Sequence, residues 1–342
     1  DMTSAFGESV LINQFSDILE NDFFVDFTLK ATILICTPEK LSYIIHHQVE
    51  FLDEIGLYIF DESHMFDDGR RGTAYELLIS EIRKHINTEK QIVLLSAVLS
   101  NAEQIKQWLF NENGTLASDP AIKTTPKSIG FSSQTRDIHY YSEDPEREDF
   151  YVPRSIEVNL LKKLGKERKK RYFPKLTDPK DIAIYYANKL CKNGGAAIFA
   201  NRTRSVQTII QQIIDLDSRE YDLSGIQKYS NTLEMSRIAK LMADYYGCDH
   251  PYTKACNLGV APHYSNLPNG LRLAIEYAFR KKDLHLVICT STLAQGVNIP
   301  IKYLFMTSFM LDQNSMKIRN FQNLMGRTAR SGMYTEGSVI VT

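Results

Sequence analysis

Short, almost wholly apolar runs recur along the chain, and stretches with apolar residues three or four positions apart separate them. ATILIC (Ala31 to Cys36), LYIF (Leu57 to Phe60) and QIVLL (Gln91 to Leu95) predict strands buried in a parallel sheet. Helical spacing fills Pro38 to His46 and Thr73 to Ile86. A second series begins after about residue 180: AAIFA (Ala196 to Ala200), LGVA (Leu258 to Ala261), LHLVIC (Leu284 to Cys289), YLFMTS (Tyr303 to Ser308) and SVIVT (Ser338 to Thr342). Helices are predicted over Asp181 to Cys191, Thr203 to Ile214, Leu267 to Lys282 and Ile318 to Met325. Two such βαβα series predict an α/β chain of two doubly wound parallel-sheet domains. The expected boundaries are residues 1–143, a charged linker over 144–180, and 181–342.

The length of 342 residues supports this, being more than one ordinary core takes up. Net charge is −1, so any binding of nucleic acid must use a local basic face instead of bulk charge. The run KKLGKERKKR (Lys162 to Arg171) reads either as a solvated linker or as a phosphate-attracting strip. The five cysteines form no CxxC pair, and Cys36, Cys191 and Cys289 sit in or beside apolar runs. Buried free thiols in a reducing, cytoplasmic compartment are expected, with neither zinc nor disulfides. No apolar run could cross a bilayer and no signal peptide is visible, so no membrane association is expected. Position 1 is Asp, not an initiator Met, which suggests a fragment or a processed piece.

The strongest chemical signal is IFDESH (Ile59 to His64), two carboxylates at the C-terminal end of a strand, where open α/β sheets bind ligands. One carboxylate suits a hydrated Mg²⁺, and the next suits orienting or deprotonating an attacking water; Asp61 and Glu62 stand in that order. Taken alone, the pattern reads equally as an acidic turn. ILICTPEKL (Ile33 to Leu41) stands upstream of it, and LLSAVLSN (Leu94 to Asn101), CTSTLAQGVNIP (Cys289 to Pro300) and FQNLMGRTARSG (Phe321 to Gly332) follow downstream.

In this order the segments resemble the Ski-like DExH helicases of superfamily two, in particular their bacterial members. DESH resembles motif II, TPEKL motif Ib, SAV motif III, ANRTRS (Ala200 to Ser205) motif IV, CTSTLAQGVNIP motif V and GRTAR motif VI. VAPHYSNLPNGLR (Val260 to Arg272) resembles a His-bearing segment that marks the subfamily. The resemblance implies two RecA-like domains that close on ATP and Mg²⁺, with a single strand of DNA or RNA lying across both. It implies Mg²⁺ and water roles for Asp61 and Glu62, and coupling of the nucleotide state to closure by His64 and Ser96. Backbone contacts would come from Thr37 and Lys40 in the first domain, and from Arg202, His263, Thr290 and Thr292 in the second. Gly296 and Asn298 would lie near the nucleotide, and Arg327 and Arg330 would act as arginine fingers.

Structural alternatives accompany these roles. Arg327 and Arg330 also suit helix-end cations, His64 a satisfied buried His, and Thr290 a strand end; His263 and Lys40 suit ordinary surface positions. The chain contains no G-K-[ST] phosphate loop, and TSAFGES (Thr3 to Ser9) has Glu8 where the Lys belongs. The loop is therefore expected upstream of Asp1, and the C-terminal accessory domains of the family, or protein partners, are expected outside the chain. Motif VI departs from the family in Asn323 and in Thr328-Ala329, which stand for Gln and for Ala-Gly. The expected function is an ATP-dependent helicase or translocase. The alternatives are a degenerate motor that binds without hydrolysis and the motor subunit of a restriction-type system.

Overall fold

The computed structural model describes residues 11–14, 32–67, 69–86, 90–96, 101–118, 125–142, 146, 148–291, 299–311, 314–316, 318–329 and 333–342. The chain divides into two units, Asp1–Ser118 and Asp119–Thr342. In the first, β1 (Leu11–Gln14) pairs in parallel with β2 (Thr32–Ile35), followed by helices α1 (Pro38–His47) and α2 (Phe51–Glu54). Strand β3 (Leu57–Phe60), helix α3 (Gly69–Lys84), strand β4 (Gln91–Leu94) and helix α4 (Ala102–Phe110) complete it, with β3 and β4 parallel. Tyr58 and Phe60 on one face of β3 pack with Tyr75, Ile79 and Ile82 of α3 and Leu109 of α4. The opposite face carries Leu57 and Ile59, 49% and 59% exposed, which corrects the expectation of a strand buried on both faces.

The second unit opens with three strands, β5 (Lys127–Ser132), β6 (Ile138–Ser142) and β7 (Phe150–Val152), and a short hairpin of β8 (Asn159–Leu160) and β9 (Tyr172–Phe173). It continues with α5 (Pro179–Leu190), β10 (Ala196–Phe199), α6 (Thr203–Ser218), α7 (Ser224–Gln227), α8 (Thr232–Tyr246), α9 (Pro251–Asn257), β11 (Val260–His263), α10 (Asn269–Arg280) and β12 (Leu286–Cys289). Strand β13 (Tyr303–Met306), a small β14–β15 hairpin (Met310–Leu311 and Asn314–Ser315), α11 (Ile318–Gly326) and β16 (Gly337–Val341) close it. Among the described residues one eight-stranded sheet runs β11-β12-β10-β13-β16-β5-β6-β7. The first six of these strands are mutually parallel, and β6 and β7 are antiparallel additions. Every residue of β10, β11, β12 and β13 is buried, the two-sided burial that uniform apolar runs predict.

The expected boundaries do not coincide with this division. Residues 127–142 fall in the expected first domain, yet β5 pairs with β16, Lys127 opposite Gly337 through Phe131 opposite Val341. The expected linker over 144–180 supplies Ile156, Leu161 and Phe173 to the core of the second unit. Three residues of its charged run, Lys162, Glu167 and Arg171, are paired: Arg219, with a side chain 2% exposed, donates to both Glu167 oxygens at 2.8 and 2.9 Å and to Asp215 at 2.8 Å. Lys162 pairs with Glu220, and Arg171 lies 3.3 Å from Glu167. Arg219 holds the Glu167 carboxyl down to about 2. Cys191, Cys256 and Cys289 are buried free thiols, whereas Cys36 is half-buried and Cys248 exposed. Among the described residues no helix is long and apolar enough to cross a membrane.

Candidate functional site

The acidic turn grows directly out of β3. Phe60 anchors that strand in the core, and the chain then reverses at Asp61-Glu62 into a 3-10 turn over Ser63–Asp67. Exposed Asp61 accepts the Glu62 amide on Oδ1 at 2.8 Å. Glu62 has φ +55°, the left-handed region, which costs a non-glycine residue about 1–2 kcal/mol. Buried Ser63 holds that conformation. Its N–H donates to the Leu95 carbonyl at 2.9 Å and its Oγ to the Phe60 carbonyl at 2.9 Å, while Leu95 N–H donates to the Phe60 carbonyl at 2.8 Å. These bonds tie the acidic turn to the end of β4, so Ser96 leaves the sheet beside it. His64, its side chain 13% exposed, sits with Nδ1 3.3 Å from Glu62 Oε2. Tyr75 lies in the core below, its hydroxyl pushed up by burial.

Thr37, at the end of β2, caps α1: its hydroxyl accepts the Lys40 amide at 3.4 Å, with Pro38 at the first helical position. Thr37 is exposed and Lys40 half-buried. The Arg71–Glu39 pair at 2.7 Å joins α3 to α1.

In the second unit the expected contact residues follow neighbouring parallel strands. Thr290 N–H donates to the His263 carbonyl at 3.1 Å and Ala200 N–H to the Cys289 carbonyl at 2.8 Å, which holds the ends of β11, β12 and β10 together. Arg202 is exposed at the N-cap of α6. His263 is fully buried and its Nε2 bonds Glu276 Oε1 of α10 at 2.9 Å, so the ring braces the sheet edge. Thr290 is only 8% exposed. Glu276 is not among the residues the motifs single out, although an acid among Ile275, Ala278 and Phe279 on the apolar side of α10 signals a buried partner.

Arg327 follows α11 in a tight turn, its N–H bonded to the Leu324 carbonyl at 3.1 Å. Thr328 is fully buried and bridges to Ile301, and Ala329 donates its N–H to the Ile301 carbonyl at 2.7 Å with φ +54°. The glycine that the family places there would adopt this backbone without strain. Thr292, Gly296, Asn298 and Arg330 lie outside the described residues.

No group of three or more His, Cys, Asp or Glu suited to a metal occurs among the described residues. The exposed Asp61 carboxylate with Glu62 beside it instead fits Mg²⁺, which takes one or two protein carboxylates and fills its remaining positions with water and phosphate oxygens.

Residues 11–105 match the family described as DEAD/DEAH box helicase, and residues 222–332 match the helicase conserved C-terminal domain. The Hachiman protein HamB of Bacillus cereus is 27% identical over 92% of this chain and 28% of its own length. The ATP-dependent DNA helicase Hel308 of Methanococcus vannielii is 26% identical over 91% of this chain and 38% of its own. The human Helicase POLQ-like protein is 25% identical over 91% of this chain and 26% of its own. The chain thus spans well under half the length of these curated relatives. The fold is shared with Mycobacterium smegmatis helicase Lhr bound to ssDNA and AMP-PNP, at TM-score 0.57 and 16% identity over 97% of this chain and 34% of that one. It is shared also with S. cerevisiae Dbp5 bound to RNA and ADP BeF3, at TM-score 0.56 and 14% identity over 97% of this chain and 63% of that one.

Proposed function

This chain belongs to the superfamily-two helicases and has two RecA-like domains, and we propose that it is the motor core of an ATP-dependent nucleic-acid helicase or translocase. The observation that carries the reading is the Asp61-Glu62 turn, with Glu62 held at φ +55° and Ser63 bonded to Leu95 at the end of the neighbouring strand. Strained backbone that its surroundings over-determine is a hallmark of reactive sites. Mg²⁺, when bound, neutralises charge on the β and γ phosphates of ATP. Asp61 would hold that ion through water. Glu62, steered by His64, would accept a proton from the attacking water, and Ser96 would report the nucleotide state through the shared turn. Gly296 and Asn298 would line the nucleotide. Arg327 and Arg330 would stabilise charge developing on the phosphates, a role that suits a planar and permanently charged guanidinium.

Thr37, Lys40, Arg202 and Thr292 would grip the sugar–phosphate backbone, a contact that does not distinguish DNA from RNA. His263 and Thr290 would set the shape of that edge from beneath. Both kinds of strand are found on structural neighbours, ssDNA on Lhr and RNA on Dbp5.

Glu62→Gln in the full-length protein tests the reading. The amide keeps the shape of the side chain and removes the base. Turnover should fall by about 10²-fold or more, with ATP and strand affinities within about threefold of wild type. Near wild-type turnover in Glu62→Gln would take this residue out of the reaction.

A further inference from the structure

A groove of about 1310 Å³ runs along α6 in the second unit. One wall is the solvent side of α6 from Arg204 to Asp215, about 16 Å at 1.5 Å per residue. The opposite wall is the segment around Lys170 to Thr177, anchored by buried Phe173 and by the Arg219–Glu167 pair. The N-terminal end of α9, with His250 and Tyr252, forms part of the lining.

The charges of this groove are uneven. Arg136, Lys170, Lys175 and Arg204 line it, are exposed, and make no salt bridge with any described carboxylate. Its two acids are already engaged. Asp181 accepts the Lys175 amide at 3.0 Å and Gln212 Nε2 at 3.1 Å, and Asp215 accepts Arg219 Nε at 2.8 Å. Gln207 and Gln211 add neutral amide groups along the same helical face, while the Thr208 hydroxyl already donates to the Arg204 carbonyl at 3.0 Å. Tyr172, 54% exposed, offers a ring at one rim. Four cations without a salt bridge to a described carboxylate, amide groups and one exposed ring match a sugar–phosphate backbone with its bases, and match an apolar ligand poorly. The groove also starts where the expected strand contact lies, since Arg204 follows the Arg202 N-cap by two residues.

We infer that this groove is a second binding track for single-stranded nucleic acid, continuing the path from Arg202 along α6 between Arg204 and the Lys170–Lys175 segment. The inference rests on the motor reading above and extends it to Lys170 and Lys175, outside the recognised motifs, and to Arg204, which lies within ANRTRS but carries no role there.

The test uses the full-length protein and two labelled homopolymer strands, one of about 8 and one of about 20 nucleotides, across about 50–200 mM KCl. Lys170→Ala/Lys175→Ala and Arg204→Gln change exposed side chains, and unchanged melting temperatures would certify the fold. On the longer strand the double variant should bind about tenfold more weakly at low salt. The slope of log K against log salt should shrink by about 0.7 for each phosphate that is no longer neutralised. Binding of the shorter strand should be unaffected. Wild-type affinity and slope for the variants on the longer strand would overturn the groove and leave the motor reading standing. Equal weakening on both strands would place these cations in the primary track and overturn the extension. Failure of the wild type to bind either strand would overturn the motor reading and the groove together.

Discussion

Asp181 provides a test of the electrostatics of the second unit that does not depend on function. It stands in the first turn of α5, where a carboxylate ordinarily gains from the helix dipole. Here burial, with Asp178 and Asp215 nearby, pushes it from 3.8 up to about 6. Keeping it ionised in the folded state therefore costs about 3 kcal/mol, at 1.36 kcal/mol per pH unit. Because the folded value lies above the unfolded one, the penalty is absent below about pH 4. It grows between about pH 4 and 6 and is complete above. Asp181→Asn removes it. Asn has one acceptor oxygen for two donors, the Lys175 amide and Gln212 Nε2, so the substitution gives up one hydrogen bond, at about 1 kcal/mol. The variant should be more stable by about 2 kcal/mol at pH 8 and equal to or below wild type at pH 4. For a unit of this size that corresponds to about 4–8 °C in Tm at pH 8. Urea midpoints measured at each pH unit from 4 to 8 give the difference directly. A gap that stays constant with pH, or a wild type more stable at pH 8, would refute the assignment of the penalty to Asp181.

Two further substitutions probe packing. Gly337→Ala would place a Cβ 2.6 Å from the Ala329 Cβ and 2.9 Å from Thr328 Cγ2, and should destabilise by about 1–3 kcal/mol in thermal unfolding. Ala329→Gly relaxes the φ of +54° and removes the closer of those atoms, so the pair should be less destabilised than Gly337→Ala alone, and strict additivity would speak against the clash. Glu276→Ala strands the buried His263 ring and should cost about 2 kcal/mol, whereas Glu276→Gln, which keeps an oxygen at Nε2, should recover most of it. Equal destabilisation by Ala and Gln would show that the hydrogen bond is not what holds the ring.

The second sheet is legible in the sequence because its strands are apolar at almost every position, as burial on both faces requires. The same kind of run misleads in β3, where LYIF buries only Tyr58 and Phe60; composition does not say which face is covered. Strands β5 to β7 escape the pattern because KSIGFS, IHYYS and FYV mix aromatics with polar residues, and Phe131, Tyr141 and Tyr151 remain about half exposed. Helix α8 does carry a signal, in Met235, Ile238, Ala239 and Met242, all buried at helical spacing, although it is absent from the predicted helices. Within the candidate site, the turn at Asp61 follows from a strand that ends in two acids. The burial of His263 does not, since its partner Glu276 lies on the next helix. The run from Lys162 to Arg171 reads as solvated because its ionic partners, Asp215, Arg219 and Glu220, are close only in space.

The insertion of β16 between β13 and β5 constrains how this unit can be made. Lys127 pairs with Gly337 across about 210 residues of chain. At about 5–20 residues per second, a ribosome needs roughly 10–40 s to cover that distance. Throughout that interval β5, β6 and β7 exist as a meander whose inner edge has no neighbour, an open template for pairing with other chains. Closure of so long a loop is also slow by its topology. The last strand of this sheet to be synthesised is therefore the one that makes it continuous, and its removal would split the sheet in two rather than shorten it.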